Sequence, residues 1–187
     1  MKPRCGWFDL ALAAGLTIFS AYRLANGNAL SVLLAAQSLL VAGLLLIRRV
    51  PREEARWPIR LFAWWSAYIP LLMVPGPNSA VPMLLQAAGL LLALGAQAFL
   101  GRSFGIAPAD RQLVAAGPYR WLRHPVYAGE LLSFVGVWLS APTAWNSGLL
   151  ALITASVAGR IQAEEKVIDG YAGYSARVRW RLVPGIW

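Results

Sequence analysis

Residues Gly117-Pro118-Tyr119-Arg120-Trp121-Leu122-Arg123-His124-Pro125-Val126-Tyr127-Ala128-Gly129-Glu130 decide how the chain is to be read. The stretch is polar, holds the single histidine, and lies between two blocks that are almost entirely apolar. Gly117-Pro118 reads as a turn. Pro125 suits the first turn of a helix, where a missing N–H costs nothing, and the residues after it run apolar again. The physical reading is a loop at a membrane surface that delivers Arg123, His124 and Tyr127 to the start of a new helix.

Composition supports that setting. At 187 residues the length fits one domain, but 58% hydrophobic residues, 13% charged residues and a mean hydropathy of +0.55 describe an integral membrane protein. The formal charge of +9 is no argument for nucleic acid, because a DNA binder of this size would not carry four long apolar blocks. A single cysteine, Cys5, excludes an internal disulfide; an inert thiol is expected, with lipidation beside the first span as the alternative.

Working outward, the chain predicts an all-α polytopic fold of about six membrane helices. It is read as one membrane domain over 1–187, with N-terminal spans in 1–100 and a catalytic half in 101–187. The first span is Trp7 to Leu24, after Lys2 and Arg4; its length argues for a spanning helix over a signal peptide. Asn26-Gly27-Asn28 makes a turn, and Ala29 to Ile47 forms a second span ending in Arg48-Arg49. A basic loop from Val50 to Arg60 precedes a third span, about Leu61 to Val74, closed by Pro75-Gly76-Pro77-Asn78. The fourth runs from about Val81 to Leu100. Beyond the polar loop, Tyr127 to Ser140 and Trp145 to Gly159 flank Ala141-Pro142-Thr143. At about 1.5 Å per residue each reaches only some 20–24 Å against a hydrocarbon core of about 30 Å, which predicts a short hairpin. From Arg160 a polar helical stretch with Glu164-Glu165 leads into an aromatic, basic tail.

Charge sets the orientation. With six spans and a cytoplasmic N-terminus, sixteen of the seventeen Lys and Arg residues fall on the cytoplasmic side, Arg23 being the exception. Both termini, the His124 loop and the C-terminal helices then share the cytoplasmic face. The hairpin returns Arg160, Glu164 and Glu165 to the level of Arg123, His124 and Tyr127. Carboxylates so near a bilayer need a cationic partner, whether a side chain or a ligand. A salt-bridge cluster with Arg120 or Arg123 is one outcome, and a structural role for His124 is another. One histidine and one cysteine leave too few ligands for zinc, so no metal site is expected.

These residues also resemble a known family. Leu113-Val114, Gly117-Pro118-Tyr119-Arg120, the Arg123 to Gly129 block, Arg160-Ile161 with Glu164-Glu165, then Tyr171, Tyr174, Arg177-Val178 and Pro184 look like the isoprenylcysteine carboxyl methyltransferase and phospholipid methyltransferase superfamily of membrane enzymes. The likeness covers roughly Leu100 to Pro184 and leaves the first three spans without an assignable motif.

The resemblance implies methyl transfer from S-adenosyl-L-methionine at the cytoplasmic face. It places Gly117, Pro118, Tyr119, His124, Pro125, Tyr127, Glu164 and Glu165 around the cofactor, with Arg123, Arg177 and Glu165 at the reacting end. A sulfonium cation suits carboxylates and aromatic faces, and the cofactor's own carboxylate suits Arg or imidazole. The acceptor is expected to be lipophilic and to enter sideways from membrane lipid, with a carboxylate, amine or phenol head. No nucleic-acid partner is expected, and no motif specifies an oligomeric state. The competing classes are a non-enzymatic membrane scaffold, which a filled space between His124 and Glu165 would indicate, and a small transporter, which needs more mid-bilayer polar residues than Gln37, Ser38, Gln86 and Gln97.

Overall fold

The computed structural model describes residues 7–26, 29–77 and 79–187. Lys2, Arg4, Cys5, the Gly27-Asn28 part of the first turn, Asn78 and the Arg23 side chain lie outside that description. The chain is mostly helical: α1 Trp7–Asn26, α2 Ala29–Ile47, α3 Trp57–Tyr68, α4 Ala80–Leu100, α5 Pro125–Ser140, α6 Ala144–Val167 and α7 Tyr171–Arg177. Two helices are long and apolar enough to cross a membrane, over Leu30–Ile47 and Ala80–Ser103, and a shorter apolar stretch, Leu10–Tyr22, lies in α1.

Three differences from the sequence reading bear on the site. The third helix starts four residues earlier than expected, at Trp57, because Pro58 falls in its first turn; a short 3-10 turn, Ile69–Leu72, built on Pro70, follows it. The sixth does not stop at Gly159. Nothing between Ala158 and Val167 breaks a helix, so α6 continues for 24 residues, roughly 36 Å at 1.5 Å per residue, while the 16-residue α5 reaches roughly 24 Å. The hairpin arms are therefore unequal, and Glu164 and Glu165 stand on a rigid helical extension. The third difference is a two-residue antiparallel pair, β1 Glu53–Glu54 with β2 Ala109–Asp110.

That pair marks one end of the bundle. Arg49 N–H donates to Arg102 O at 2.7 Å, Arg52 N–H to Asp110 O at 2.8 Å, and Arg49 Nη1 reaches Ser103 Oγ at 3.1 Å. The basic α2–α3 loop thus lies against the loop that leads to His124. The opposite end gathers uncharged turns: fully buried Asn146 donates to Val74 O and Ala141 O, both at 2.8 Å, and accepts from Val74 N–H, while Gly76 N–H donates to Ser140 Oγ at 3.0 Å. Among the described side chains the charge thus gathers at one end, as the positive-inside pattern expects of a membrane bundle.

The most extensive helix pair is α4 against α5. Its backbones touch because the crossing is made of small residues: a Cβ on Gly89 would lie 2.4 Å from Ser133 N, and one on Gly129 would lie 2.6 Å from Ala93 N. The outer faces stay apolar, with Ile18, Val81, Leu84 and Leu91 more than half exposed, a surface suited to lipid. Between the α1–α2–α4 side and the α3–α5–α6 side the helices leave a cavity of about 670 Å³.

Candidate functional site

The loop after α4 is shaped by two local constraints. Gln112 takes a left-handed backbone (φ 79°), and its N–H donates to Asp110 Oδ1 at 3.0 Å. Gly117 takes φ 57° with the Phe99 ring 2.5 Å from where a Cβ would sit, so only glycine fits. A 3-10 turn, Gly117–Arg120, follows and buries Tyr119, whose hydroxyl donates to Ala96 O at 3.3 Å. The next residues are clasped by the C-terminal segment. Leu122 bridges Trp180, Arg123 N–H donates to Trp180 O at 2.8 Å, and His124 N–H to Arg181 O at 3.0 Å.

Arg123 is chiefly a staple. Its Nε donates to Val178 O at 2.6 Å and its Nη2 to Ser175 O and Arg179 O at 3.1 Å, which sets a cation on the C-terminal carbonyls of α7. His124 occupies the N-cap position of α5 with Pro125 in the first turn, and its ring is 6% exposed.

Two carboxylates from α6 flank that ring. Nδ1 faces Glu164 Oε2 at 3.6 Å and Nε2 faces Glu165 Oε1 at 3.3 Å, with the Tyr171 hydroxyl 3.1 Å from Nε2. Burial opposes charge on the imidazole, but hydrogen bonding to Glu164 and Glu165 outweighs it and holds the pKa above the ordinary histidine value. The ring lies buried between the two carboxylates, which favour its protonated form, and stacks with Tyr127 and Tyr171 at centroid distances of 5.9 and 6.3 Å.

Each carboxylate has further partners. Glu164 accepts from the Tyr127 hydroxyl. Glu165 accepts from Tyr171 at 3.0 Å and, in bidentate fashion, from Arg181 Nε and Nη2 at 2.8 Å each, with Arg123 Nη1 3.6 Å away. Burial raises the Glu165 pKa, yet His124, Arg181 and Tyr171 together keep it well below the usual carboxylate range. Burial pushes the Tyr174 phenol up to about 12; its hydroxyl donates to Tyr119 O at 2.7 Å. Arg160 lies over the Tyr127 ring at 4.9 Å and donates from Nη2 to Ile106 O at 2.9 Å.

His124 and Glu165 touch directly, as a structural cluster would, but beside them the cavity stays open. Its polar end is lined by His124, Tyr127, Arg160, Glu164, Tyr171 and Arg111, its other walls by Leu16, Phe19, Leu34, Tyr68 and Leu71. Of the residues that the resemblance places at the site, Tyr119, Arg123, His124, Tyr127 and Glu164 line it, as do Arg160, Tyr171 and Tyr174 of the same motifs. Gly117, Pro118 and Pro125 shape the backbone instead, and Glu165 faces His124 and Arg181 outside the lining. Arg177 is exposed on the last turn of α7, also outside it.

Three residues given no role in the sequence reading belong here. In the sequence Arg181 reads only as one of the basic residues of the tail, beside Arg177 and Arg179. Arg111 and Glu130 line the cavity, and Glu130 carried a legible signal, since an ionisable residue inside an apolar span is by default functional.

A histidine flanked by two carboxylates thus stands at the end of a cavity whose other walls are largely apolar. Residues 83–171, from the first turn of α4 to the first residue of α7, match the family model of phospholipid methyltransferase. This is the superfamily that the motifs resemble, and the match implies methyltransferase activity on membrane lipids. No curated protein matches the chain.

Proposed function

We propose that the protein transfers a methyl group from S-adenosyl-L-methionine to a lipophilic acceptor at the cytoplasmic face of a membrane. The observation that carries this reading is a cavity that joins the His124–Glu164 cluster to apolar walls on α1, α2 and α3. Two ligands of opposite character have a place in it.

The residues suit the cofactor. Glu164 and the faces of Tyr127 and Tyr171 supply the anionic and aromatic surroundings that a sulfonium and an ammonium favour. Among the described residues, Arg160 Nε and Gln97 Oε1 are buried without a hydrogen-bond partner, and both residues line the cavity. Such orphaned atoms cost about 1–3 kcal/mol each unless a ligand completes them. Arg160 Nε suits a carboxylate and Gln97 Oε1 suits an N–H or O–H donor.

Bound there, S-adenosylmethionine supplies an electrophilic methyl: a bond forms from the acceptor's nucleophilic atom to carbon while the sulfur–carbon bond breaks, its pair staying on sulfur. The chain's own contribution is alignment and exclusion of water. Glu164, itself fixed by Tyr127 and His124, orients the cationic end. Glu165 and Arg181 hold His124 from behind as positioning residues. Arg177 is placed on the acceptor side by the resemblance, and the apolar walls receive the lipid tail.

Calorimetric titration with S-adenosylhomocysteine tests the assignment. Wild-type protein in detergent should bind, and Glu164→Gln should weaken binding about tenfold or more, the order of one lost charge-assisted hydrogen bond. Absence of wild-type binding refutes the proposal.

The six-span arrangement with both termini cytoplasmic is supported by the basic and uncharged ends of the bundle. Single cysteines at Pro142 and Arg179, with Cys5 replaced, should label from opposite sides of sealed vesicles. Labelling from one side refutes it.

A further inference from the structure

Three glutamates surround this site, and two are committed. Glu164 accepts from Tyr127 and faces His124; Glu165 is clamped by Arg181, Tyr171 and His124. Glu130 is different. It lines the cavity from α5, three residues past Tyr127 and therefore on the same helix face, one turn deeper toward the apolar walls. Among the described residues its carboxylate makes no hydrogen bond or ion pair. The guanidinium that faces it, Arg160, is shared with Tyr127 and Glu164 and donates to Ile106 O. Ser133, Phe134, Ile153 and Val157 line the same cavity around it.

A carboxylate in such a wall is costly to keep unless a ligand uses it. Its depth matters. His124, Tyr127 and Glu164 lie at the polar end assigned to the cofactor, and Phe134, one turn further along α5, belongs to the walls that suit an acyl or prenyl tail. Glu130 stands between them, where an acceptor's head has to meet the methyl group.

Resting on the methyltransferase reading, we infer that Glu130 is the base that takes the proton from the acceptor's nucleophile, so the acceptor carries an ionisable N–H or O–H head and not a carboxylate. For an ammonium head, an N–H bond breaks, its electron pair remains on nitrogen as the attacking lone pair, and the proton forms an O–H bond on Glu130. After transfer that proton leaves Glu130 for water at the polar end. A carboxylate acceptor has no proton to lose and would add a negative charge beside Glu130 and Glu164.

The test compares wild-type protein with Glu130→Gln in detergent, offering three probes with label on the transferable methyl: dioleoylphosphatidylethanolamine, 4-nonylphenol and N-acetyl-S-farnesylcysteine. The wild type should label the amine or the phenol. Glu130→Gln should keep its S-adenosylhomocysteine Kd within about twofold, which also reports the fold. Its kcat should fall at least about a hundredfold near pH 7 and recover as pH approaches the acceptor's own pKa. The inference is overturned by a wild type that labels only the carboxylate probe or none, by an unchanged kcat in Glu130→Gln, or by a Kd that worsens as much as kcat. In each of those cases wild-type binding of S-adenosylhomocysteine still upholds the methyltransferase reading; failure of that binding brings down both.

Discussion

Replacing Arg181 by Met asks whether the C-terminal segment governs the site from outside it. The guanidinium makes two hydrogen bonds of 2.8 Å to Glu165, yet Arg181 is not among the residues lining the cavity and lies beyond the family match. Hydrogen bonds to charged groups contribute about 1.5–3 kcal/mol each, so the pair sets an upper bound of about 3–6 kcal/mol. Two facts reduce it. The Arg181 side chain is 32% exposed, so water competes for it, and Glu165 keeps Tyr171, His124 and Arg123 when Arg181 is gone. A coupling of about 2 kcal/mol is expected, measured by a double-mutant cycle of Arg181→Met with Glu165→Gln. At about 2–4 °C per kcal/mol for a chain of this size, Arg181→Met should lower Tm by about 4–8 °C in detergent. S-adenosylhomocysteine affinity should also fall about three- to tenfold, because Glu165 released from Arg181 no longer fixes His124. Additivity within about 0.5 kcal/mol, or a Tm unchanged while binding is lost, would refute the chain of contacts from Arg181 through Glu165 to His124.

Because the folded pKa of His124 is raised, the stability that its charge contributes is complete below the unfolded value of about 6.5 and is lost as pH rises through the folded pKa. Thermal unfolding between pH 6 and 9 should therefore show wild-type Tm declining, with the decline absent in His124→Gln; equal slopes would show that the ring is neutral. Arg177→Ala should leave S-adenosylhomocysteine affinity within about twofold, since Arg177 does not line the cavity, and lower turnover with a lipid acceptor. Unchanged turnover would remove Arg177 from the site.

Much of this was legible in the sequence where one physical effect dominated. The second helix matches its expected bounds because an apolar run closed by Arg48-Arg49 leaves no competing reading. The approach of Glu164 and Glu165 to His124 followed from a hairpin that must return to its starting level. The misreadings have local causes. Trp57 and Ile59 are apolar but lie among Arg56 and Arg60, so hydropathy placed the start of α3 too late, while Pro58 marked it. The helical character of the stretch from Arg160 is legible in the sequence; its unbroken continuity with the apolar helix before it is not, because hydropathy changes at Gly159. Arg181 was beyond reach, because its partner lies sixteen residues away across a turn and a helix, and the tail offers Arg177 and Arg179 as equally plausible cations.

The bridge from Leu122 to Trp180 and the hydrogen bonds from Arg123 and His124 to residues 180–181 bear on how the protein is made. His124 is translated some forty residues before Glu165 and nearly sixty before Arg181. Until residue 181 clears the ribosome, the histidine loop has neither its backbone partners nor its carboxylate clamp. The cluster around His124 is thus closed only after residues 180–181 have been made, and a ribosome that stops short of Trp180 leaves the preceding helices without the clamp on the histidine loop.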